Sequence, residues 1–281
     1  MTVRRSRPAL ECRHVQLNHY RGGRGQPLLL IHGIGSRWQI FEPVLPRLEA
    51  EREVVAVDLP GFGASPMPPP GTPPGAQSLA WLVAEFLEEI GVDQPHAAGN
   101  SLGGWIALEL AKRGRVRSAT ALSPAGFHND REGIFQRASM ATTKRACRLI
   151  APYADRLMRP RGARAVFTSQ YFAHPTLIPA DDAADNVRAL AAAPWFDETL
   201  RTITKKRFSD GEQIKVPVTI AWGERDRLLL PRQARRARRL VPTARMVTLR
   251  GCGHAPMPDD PDQVARVLLE GSTASASPIR P

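Results

Sequence analysis

A serine, an aspartate and a histidine in this 281-residue chain each follow a predicted strand, and these three side chains can together perform nucleophilic catalysis. Ser101 is the centre of the run G-N-S-L-G, Asp226 ends W-G-E-R-D, and His254 ends G-C-G-H. A serine hydroxyl needs a base to accept its proton, and a histidine base needs a carboxylate to orient it. The carboxyl ends of parallel strands meet at one edge of a sheet, so we expect the three residues to lie together. The pattern predicts acyl transfer with Ser101 as nucleophile, Asp226 as acid and His254 as base.

The glycines around Ser101 suit a tight turn between a strand and a helix. A serine on such a turn takes a strained backbone conformation, and the residues two positions away on either side must be small. Gly99, Gly103 and Gly104 meet that requirement. A Gly-Ser turn can also be only a turn, so the pentapeptide gains its weight from the aspartate and the histidine that accompany it.

An oxyanion hole requires two N–H donors that point to one place. The turn after Ser101 would put the main-chain N–H of Leu102 at the beginning of a helix. The loop H-G-I-G, which follows an early strand, would supply a second donor, the N–H of Ile34. The alternative is that the two glycines of this loop make a tight turn and nothing more.

Other residues could take the roles of acid and base, but their positions suit these roles less well. Glu224 comes two residues earlier than Asp226, and Asp58 follows a strand that is too distant in chain order. His32 opens the glycine loop, where we expect it to brace the turn. The remaining histidines follow no comparable strand end: His14, His19, His96, His128 and His174.

Short apolar runs alternate with longer helical patterns, which is typical of a mainly parallel sheet with crossover helices. The predicted strands are residues 27–32, 54–58, 96–100, 118–122, 216–222 and 245–249, and the predicted helices include 78–90, 102–112 and 261–269. The fold class is therefore α/β, a mainly parallel sheet flanked by helices.

The pattern changes between residues 124 and 212, where no buried strand is predicted and prolines interrupt the helical stretches. We interpret residues 1–123 and 213–270 as one core, residues 124–212 as a helical insertion, and residues 271–281 as a disordered tail. Aromatic side chains are frequent in the insertion, and Trp195 and Phe196 are candidates either for a substrate pocket or for the core.

The net charge is +12, and five arginines lie within residues 232–239. This run could bind nucleic acid, but no aromatic residue interrupts it to stack on bases, which favours a solvated helix face. We therefore predict no nucleic-acid partner.

The three cysteines are widely spaced and odd in number, which argues against a disulfide framework or a structural zinc site and favours the reducing cytoplasm. No apolar run is long enough for a membrane span, and the first residues show no secretory signal. The sequence leaves the oligomeric state open.

Together the motifs H-G-I-G, D-L-P-G-F-G, G-N-S-L-G-G, W-G-E-R-D and G-C-G-H resemble the α/β-hydrolase family, over roughly residues 24–269. The resemblance is to the serine-nucleophile branch with a helical cap, inserted after the sixth strand of the family's sheet. It implies the same roles for Ser101, Asp226 and His254, and it implies neither a metal nor an organic cofactor. The dehalogenase and epoxide-hydrolase branches use aspartate where Ser101 stands, so their chemistry is not expected here.

The predicted function is a serine hydrolase that cleaves a small, largely apolar ester or a related acyl substrate, with the cap setting specificity. A carbon–carbon bond hydrolase of ring-cleavage dienones is one alternative, because Asn100 before the serine is similar to the G-N-S-M-G-G of that branch. The proline of that branch's H-G-x-G-P-G loop is missing here. Asn100 would either bind substrate or brace the turn. A thioesterase, a cofactor-free peroxidase and a ligand sensor on the same fold are further alternatives.

Overall fold

A seven-stranded sheet forms the centre of the protein in a computed structural model that describes residues 16–273. The strand order is β1-β3-β2-β4-β5-β6-β7, and every neighbouring pair is parallel except β1 with β3. The strands are β1 (His19–Gly23), β2 (Gln26–Ile31), β3 (Arg52–Val57), β4 (His96–Asn100), β5 (Ser118–Leu122), β6 (Val218–Gly223) and β7 (Arg245–Leu249). The predicted α/β class with a mainly parallel sheet is confirmed.

Ten α-helices accompany the sheet in the described part of the chain. Five of them lie outside the segment between β5 and β6: α1 (Leu45–Glu49), α2 (Ala76–Glu89), α3 (Leu102–Lys112), α9 (Ala234–Leu240) and α10 (Pro261–Thr273). The apolar residues of α2 recur at helical spacing and are buried, and α2 packs against α3, which in turn covers β4 and β5. No helix within residues 16–273 is both long and apolar enough to cross a membrane.

Strand β1 was not predicted, because its residues H-Y-R-G-G contain no apolar run. It is an edge strand, held by antiparallel main-chain pairing with β3 rather than by burial of its side chains. The Tyr20 ring stacks on Trp38, with 5.0 Å between centroids, and its hydroxyl donates to Glu49 at 2.6 Å.

The segment between β5 and β6 contains five α-helices and no strand: α4 (Asp130–Ile150), α5 (Ala154–Met158), α6 (Arg161–Thr168), α7 (Ala180–Ala192) and α8 (Phe196–Ile203). The chain leaves and rejoins the sheet at one place, which we call the neck (residues 126–129 and 204–208). There the Phe208 N–H donates to the Gly126 carbonyl at 3.0 Å, and Arg207 Nε donates to the His128 carbonyl at 2.9 Å.

Glu132, at the beginning of α4, joins this segment to α9. Its carboxylate is almost fully buried and accepts from Arg232 Nε at 2.7 Å and from Arg236, while Asn129 and Glu132 cap α4 reciprocally. Burial opposes ionisation of Glu132, but the Asn129 N–H and the two guanidiniums outweigh burial and hold its pKa below the ordinary value. Two arginines of the 232–239 run therefore bind protein instead of facing solvent alone.

The predicted end of the last helix was wrong. Helix α10 extends four residues beyond residue 269, so residues 271–273, which were predicted to belong to the tail, are helical. Gly271 packs so closely on β5 that a Cβ there would lie 2.1 Å from Thr120 Oγ1, and Ser272 Oγ accepts from Arg52 Nε at 3.0 Å. Small polar residues carry no apolar signal in the sequence, which explains the error. Residues 274–281 lie outside the described residues.

Candidate active site

Ser101 connects β4 to α3 in a backbone conformation that L-residues rarely adopt, with φ 57° and ψ −115°. The surroundings hold it in place. The Ser101 N–H donates to the Leu122 carbonyl at 2.9 Å, and the Ser101 carbonyl accepts from the N–H groups of Trp105 and Ala125. The strained turn thus puts the side chain beyond the carboxyl end of β4.

The glycines flanking Ser101 are required by contacts that leave no room for a side chain. A Cβ at Gly99 would lie 2.3 Å from the Gly103 carbonyl, and a Cβ at Gly103 would lie 2.0 Å from the Ile31 carbonyl. The G-x-S-x-G spacing therefore allows α3 to begin directly against β2 and β4.

His254 and Asp226 form a buried hydrogen bond, with His254 Nδ1 2.8 Å from Asp226 Oδ2. The other carboxylate oxygen, Oδ1, accepts from the main-chain N–H groups of Leu228 and Leu229 at 2.9 and 2.8 Å. These bonds fix the carboxylate, which favours a proton on Nδ1 and leaves Nε2 with a free lone pair. A histidine held in this way can accept a proton from a serine hydroxyl.

Asp259, which is not among the predicted site residues, fixes the loop that carries His254. Its two oxygens accept from three main-chain N–H groups: Gly253 at 2.8 Å, Ala173 at 2.9 Å and His174 at 2.8 Å. One carboxylate therefore ties the histidine loop to the chain between α6 and α7. No motif in the sequence marks this aspartate, because its partners are main-chain atoms.

Ile34 and Leu102 carry the two predicted oxyanion donors. Among the hydrogen bonds of residues 16–273, the main-chain N–H of neither residue has an acceptor. The Ile34 loop approaches the serine closely, since a Cβ on Gly33 would lie 3.2 Å from Ser101 Cβ.

His32 braces this loop, as expected from its position at the start of H-G-I-G. It is fully buried, its Nδ1 lies 2.7 Å from the Gly33 carbonyl, and its Nε2 accepts from the Leu59 N–H at 2.9 Å. Burial lowers the pKa of His32, which keeps the imidazole neutral and able to make both bonds.

Asn100 uses its side-chain amide to brace the site. Its Nδ2 donates to the Leu122 carbonyl at 3.1 Å and to the His254 carbonyl at 2.8 Å, so both amide hydrogens bind main chain. Asn100 also lines the pocket, where binding to substrate would depend on Oδ1. Substrate binding by Asn100 stays a prediction.

The two rival carboxylates have bracing contacts of their own. Asp58 accepts from the N–H groups of Trp38 and Ala64, and Glu224 accepts from the N–H of Gly251 in the histidine loop. Neither is bonded to His254.

A pocket opens above Ser101 and His254, and most of its wall comes from the segment between β5 and β6. Helix α4 contributes Met140, Thr143 and Cys147, spaced as on one face of a helix. The remainder of that wall is Phe167, Thr168, Tyr171, Phe172, Ala183, Asn186, Val187 and Leu190. The lining is largely apolar with a few polar groups, which suits a small organic substrate.

Trp195 and Phe196 belong to the core and do not line this pocket. Trp195 packs on Gly61 and Phe196 on Gly35, both glycines with positive φ.

Burial raises the pKa of the Cys147 thiol to about 11, so this pocket residue is uncharged near neutral pH. Within residues 16–273, no three His, Cys, Asp or Glu side chains are grouped so that they could hold a metal ion.

Comparison with known proteins identifies the family. Residues 28–267 match the alpha/beta hydrolase family, and the chain belongs to it. Lipase 1 of Psychrobacter immobilis is 26% identical over 255 residues, covering 86% of this chain and 75% of that protein.

Two solved structures illustrate the likeness. A membrane phospholipase A, described as a bacterial virulence factor, has a TM-score of 0.73 and 27% identity, covering 92% of this chain and 84% of that one. A meta-cleavage product hydrolase from Pseudomonas fluorescens has a TM-score of 0.70 at 21% identity, covering 90% and 93%, and shares the fold. The protein is therefore a hydrolase of the alpha/beta hydrolase family.

Proposed function

We propose that the protein is a serine esterase that cleaves a small, largely apolar ester through Ser101, His254 and Asp226. The observation that carries the proposal is the His254 Nδ1–Asp226 Oδ2 hydrogen bond, at the edge of the same pocket into which the strained Ser101 turn opens. The lipase relative supports ester hydrolysis over other chemistries.

In the proposed reaction, His254 Nε2 accepts the Ser101 proton while the hydroxyl oxygen attacks the ester carbonyl. The N–H groups of Ile34 and Leu102 stabilise the negative charge on the carbonyl oxygen, and His254 then gives its proton to the departing alcohol. Departure of the alcohol leaves the acyl group bonded to Ser101 Oγ. Water, deprotonated by His254, then attacks the acyl carbonyl, the bond to Ser101 breaks, and His254 returns its proton to Ser101 Oγ as the acid leaves. Asp226 stabilises the imidazolium at each stage.

We further propose that residues 124–212 act as a cap that selects substrates, because they supply most of the pocket wall. The dienone alternative depended on Asn100, and the binding of both its amide hydrogens to main chain favours the bracing role and plain ester hydrolysis.

Cys147 and Cys252 are free thiols, which supports a cytoplasmic location.

The test is hydrolysis of p-nitrophenyl esters of increasing chain length by the wild type and by Ser101→Ala, alongside a dienone substrate. We expect the variant to lose roughly 10⁴-fold or more in kcat while it keeps the melting temperature of the wild type. A fluorophosphonate should label the wild type on Ser101 and leave the variant unlabelled, which also separates an enzyme from a ligand sensor. Turnover of esters by Ser101→Ala at the wild-type rate would contradict the proposal.

A further inference from the structure

The outer side of the pocket wall carries an unusual combination of side chains. Residues 130–168, which form α4 to α6, contain nine basic and three acidic residues. All three acids have arginine partners from other parts of the chain: Asp130 pairs with Arg207, Glu132 with Arg232 and Arg236, and Asp155 with Arg188. The negative charge of this stretch is therefore already neutralised.

Most exposed arginines of the same stretch have no such partner; Arg148, which lies 3.6 Å from Asp197, is an exception. Six of them form no ion pair or side-chain hydrogen bond within the described chain: Arg131, Arg137, Arg145, Arg156, Arg159 and Arg161. Their positive charge faces solvent without compensation.

Large apolar side chains are exposed beside these arginines. Leu149 is 77% exposed, Tyr153 65% and Val166 76%. Such side chains normally face the core, and several together on one surface indicate a place where the protein contacts something apolar.

The helical geometry places residues 145, 149, 153 and 156 on one side, and α5 packs against α6, which carries Val166. Buried residues recur at Met140, Lys144, Cys147, Ala154 and Met158, so one inward stripe continues from α4 through the short turn into α5. Positions 145, 149, 153 and 156, spaced by four, four and three residues, therefore share the outward side. On α6, Arg164 and Thr168 are buried, and Val166 between them faces outward.

We propose that this surface (Arg145, Leu149, Tyr153, Arg156, Arg159 and Val166, the outer strip) binds the polar face of an anionic lipid bilayer. Guanidiniums are attracted to phosphate headgroups, and aliphatic and aromatic side chains between them gain free energy by entering the boundary with the acyl chains. A nucleic acid would satisfy the arginines but would offer Leu149 and Val166 no apolar surroundings. Because the inner faces of α4 and α6 line the pocket, docking places the substrate-binding wall at the membrane.

The experiment is co-sedimentation of the full chain with vesicles at physiological salt. Phosphatidylcholine vesicles containing phosphatidylglycerol are compared with pure phosphatidylcholine, and Ser101→Ala serves as the non-hydrolysing background. We expect binding to the anionic vesicles only. The triple variant Leu149→Ser, Tyr153→Ser, Val166→Ser and the triple variant Arg145→Gln, Arg156→Gln, Arg159→Gln should each weaken it by roughly tenfold.

A matched control removes the same charge elsewhere. Arg235, Arg238 and Arg239 are exposed on α9, and changing all three to Gln should leave vesicle binding near the wild-type value. Circular dichroism should show that every variant is folded.

Four outcomes would overturn the proposal. The first is that the protein does not bind anionic vesicles, and the second is that the α9 variant weakens vesicle binding as much as the outer-strip variants do, which would indicate attraction by net charge alone. The third is that the triple Ser variant binds vesicles as well as the wild type does. The fourth is that the protein binds duplex DNA through the outer strip but does not bind vesicles. The test does not depend on the proposed esterase activity, since binding is measured without turnover.

Discussion

At the scale of single residues, Asp259 shows how much of the site depends on a group that need not touch the substrate. Its carboxylate binds three main-chain N–H groups on two segments of chain, one of which carries His254. Asp260, the next residue, has a different partner, because its Oδ1 accepts from the Gln263 N–H at 2.9 Å and caps α10. Of these two adjacent aspartates, Asp259 therefore positions the histidine loop, and Asp260 stabilises α10.

We expect Asp259→Ala to lower kcat by about 10²-fold with little change in KM, because a small displacement of His254 misaligns proton transfer. Asp260→Ala, the matched control, should cost about 1 kcal/mol of unfolding free energy through loss of the cap and should leave kcat nearly unchanged. Steady-state ester hydrolysis and thermal unfolding of both variants measure this. Asp259→Asn, which keeps two acceptor lone pairs on one oxygen, should recover part of kcat. If both Ala variants lose stability alike and neither loses kcat, Asp259 has a structural role only.

At the scale of elements, the sequence predicted what depends on local pattern. Strands β4, β5 and β7 and helix α3 have the predicted bounds, because buried β-runs and glycine turns leave strong signals. Strand β1 depends on main-chain pairing with β3, and the last turn of α10 depends on the close packing of Gly271. Neither of these leaves a recognisable pattern in the sequence. The pocket face of α4 could not be predicted either. Met140, Thr143 and Cys147 have the spacing of core residues, and they differ from core residues only because they face a pocket instead of other side chains.

His96, at the beginning of β4, connects several elements through one ring. Its Nδ1 lies 2.9 Å from Ser118 Oγ on β5, which donates to the Gly271 carbonyl on α10, and its Nε2 lies 3.0 Å from the Gln26 side chain. Burial, followed by the charges of Arg52 and Arg117, lowers the pKa of His96 to about 4.

This shift makes folding stability depend on pH. The folded-state pKa lies below the unfolded value, so the stabilisation is fully present above the unfolded pKa and is lost as the pH falls toward the folded pKa. Between about pH 7 and pH 5 the expected loss from His96 is about 2 kcal/mol. Urea unfolding of the wild type and of His96→Gln at both pH values isolates this amount, because other titrating groups cancel in the difference. Identical pH dependence in the two proteins would show that His96 titrates normally.

At the scale of the whole molecule, the question is how the segment between β5 and β6 stays attached to the sheet. Glu132, with Arg232 and Arg236, is an ion-paired cluster close to the neck. The Glu132 carboxylate is buried, whereas the Arg232 guanidinium is mostly exposed. The cluster therefore stabilises the fold chiefly because it gives the buried carboxylate hydrogen-bond partners.

We expect Glu132→Gln to lower the free energy of unfolding by about 2 kcal/mol and to make the neck cleavable, because the two guanidiniums lose their countercharge while the amide oxygen can still cap α4. Limited proteolysis followed by mass mapping tests this. Asp130→Asn is the control, since Asp130 is exposed and its pair with Arg207 should contribute little. Equal resistance of both variants at residues 126–129 and 204–208 would assign the attachment to apolar packing instead.

Several attachments of residues 124–212 to the core share a property with consequences for inheritance. On the side of the inserted segment, the atoms that bind the core at these places are main-chain ones: the N–H groups of Ala173 and His174, which donate to Asp259, and the carbonyls of Phe127 and Tyr171, which accept from Arg236 Nε and from the Ala255 N–H. Nearly every amino acid supplies the same main-chain atoms, so descendants of this gene can rewrite side chains of the segment without rebuilding these attachments. Substrate range can thus diverge between lineages while the reaction chemistry is passed on unchanged.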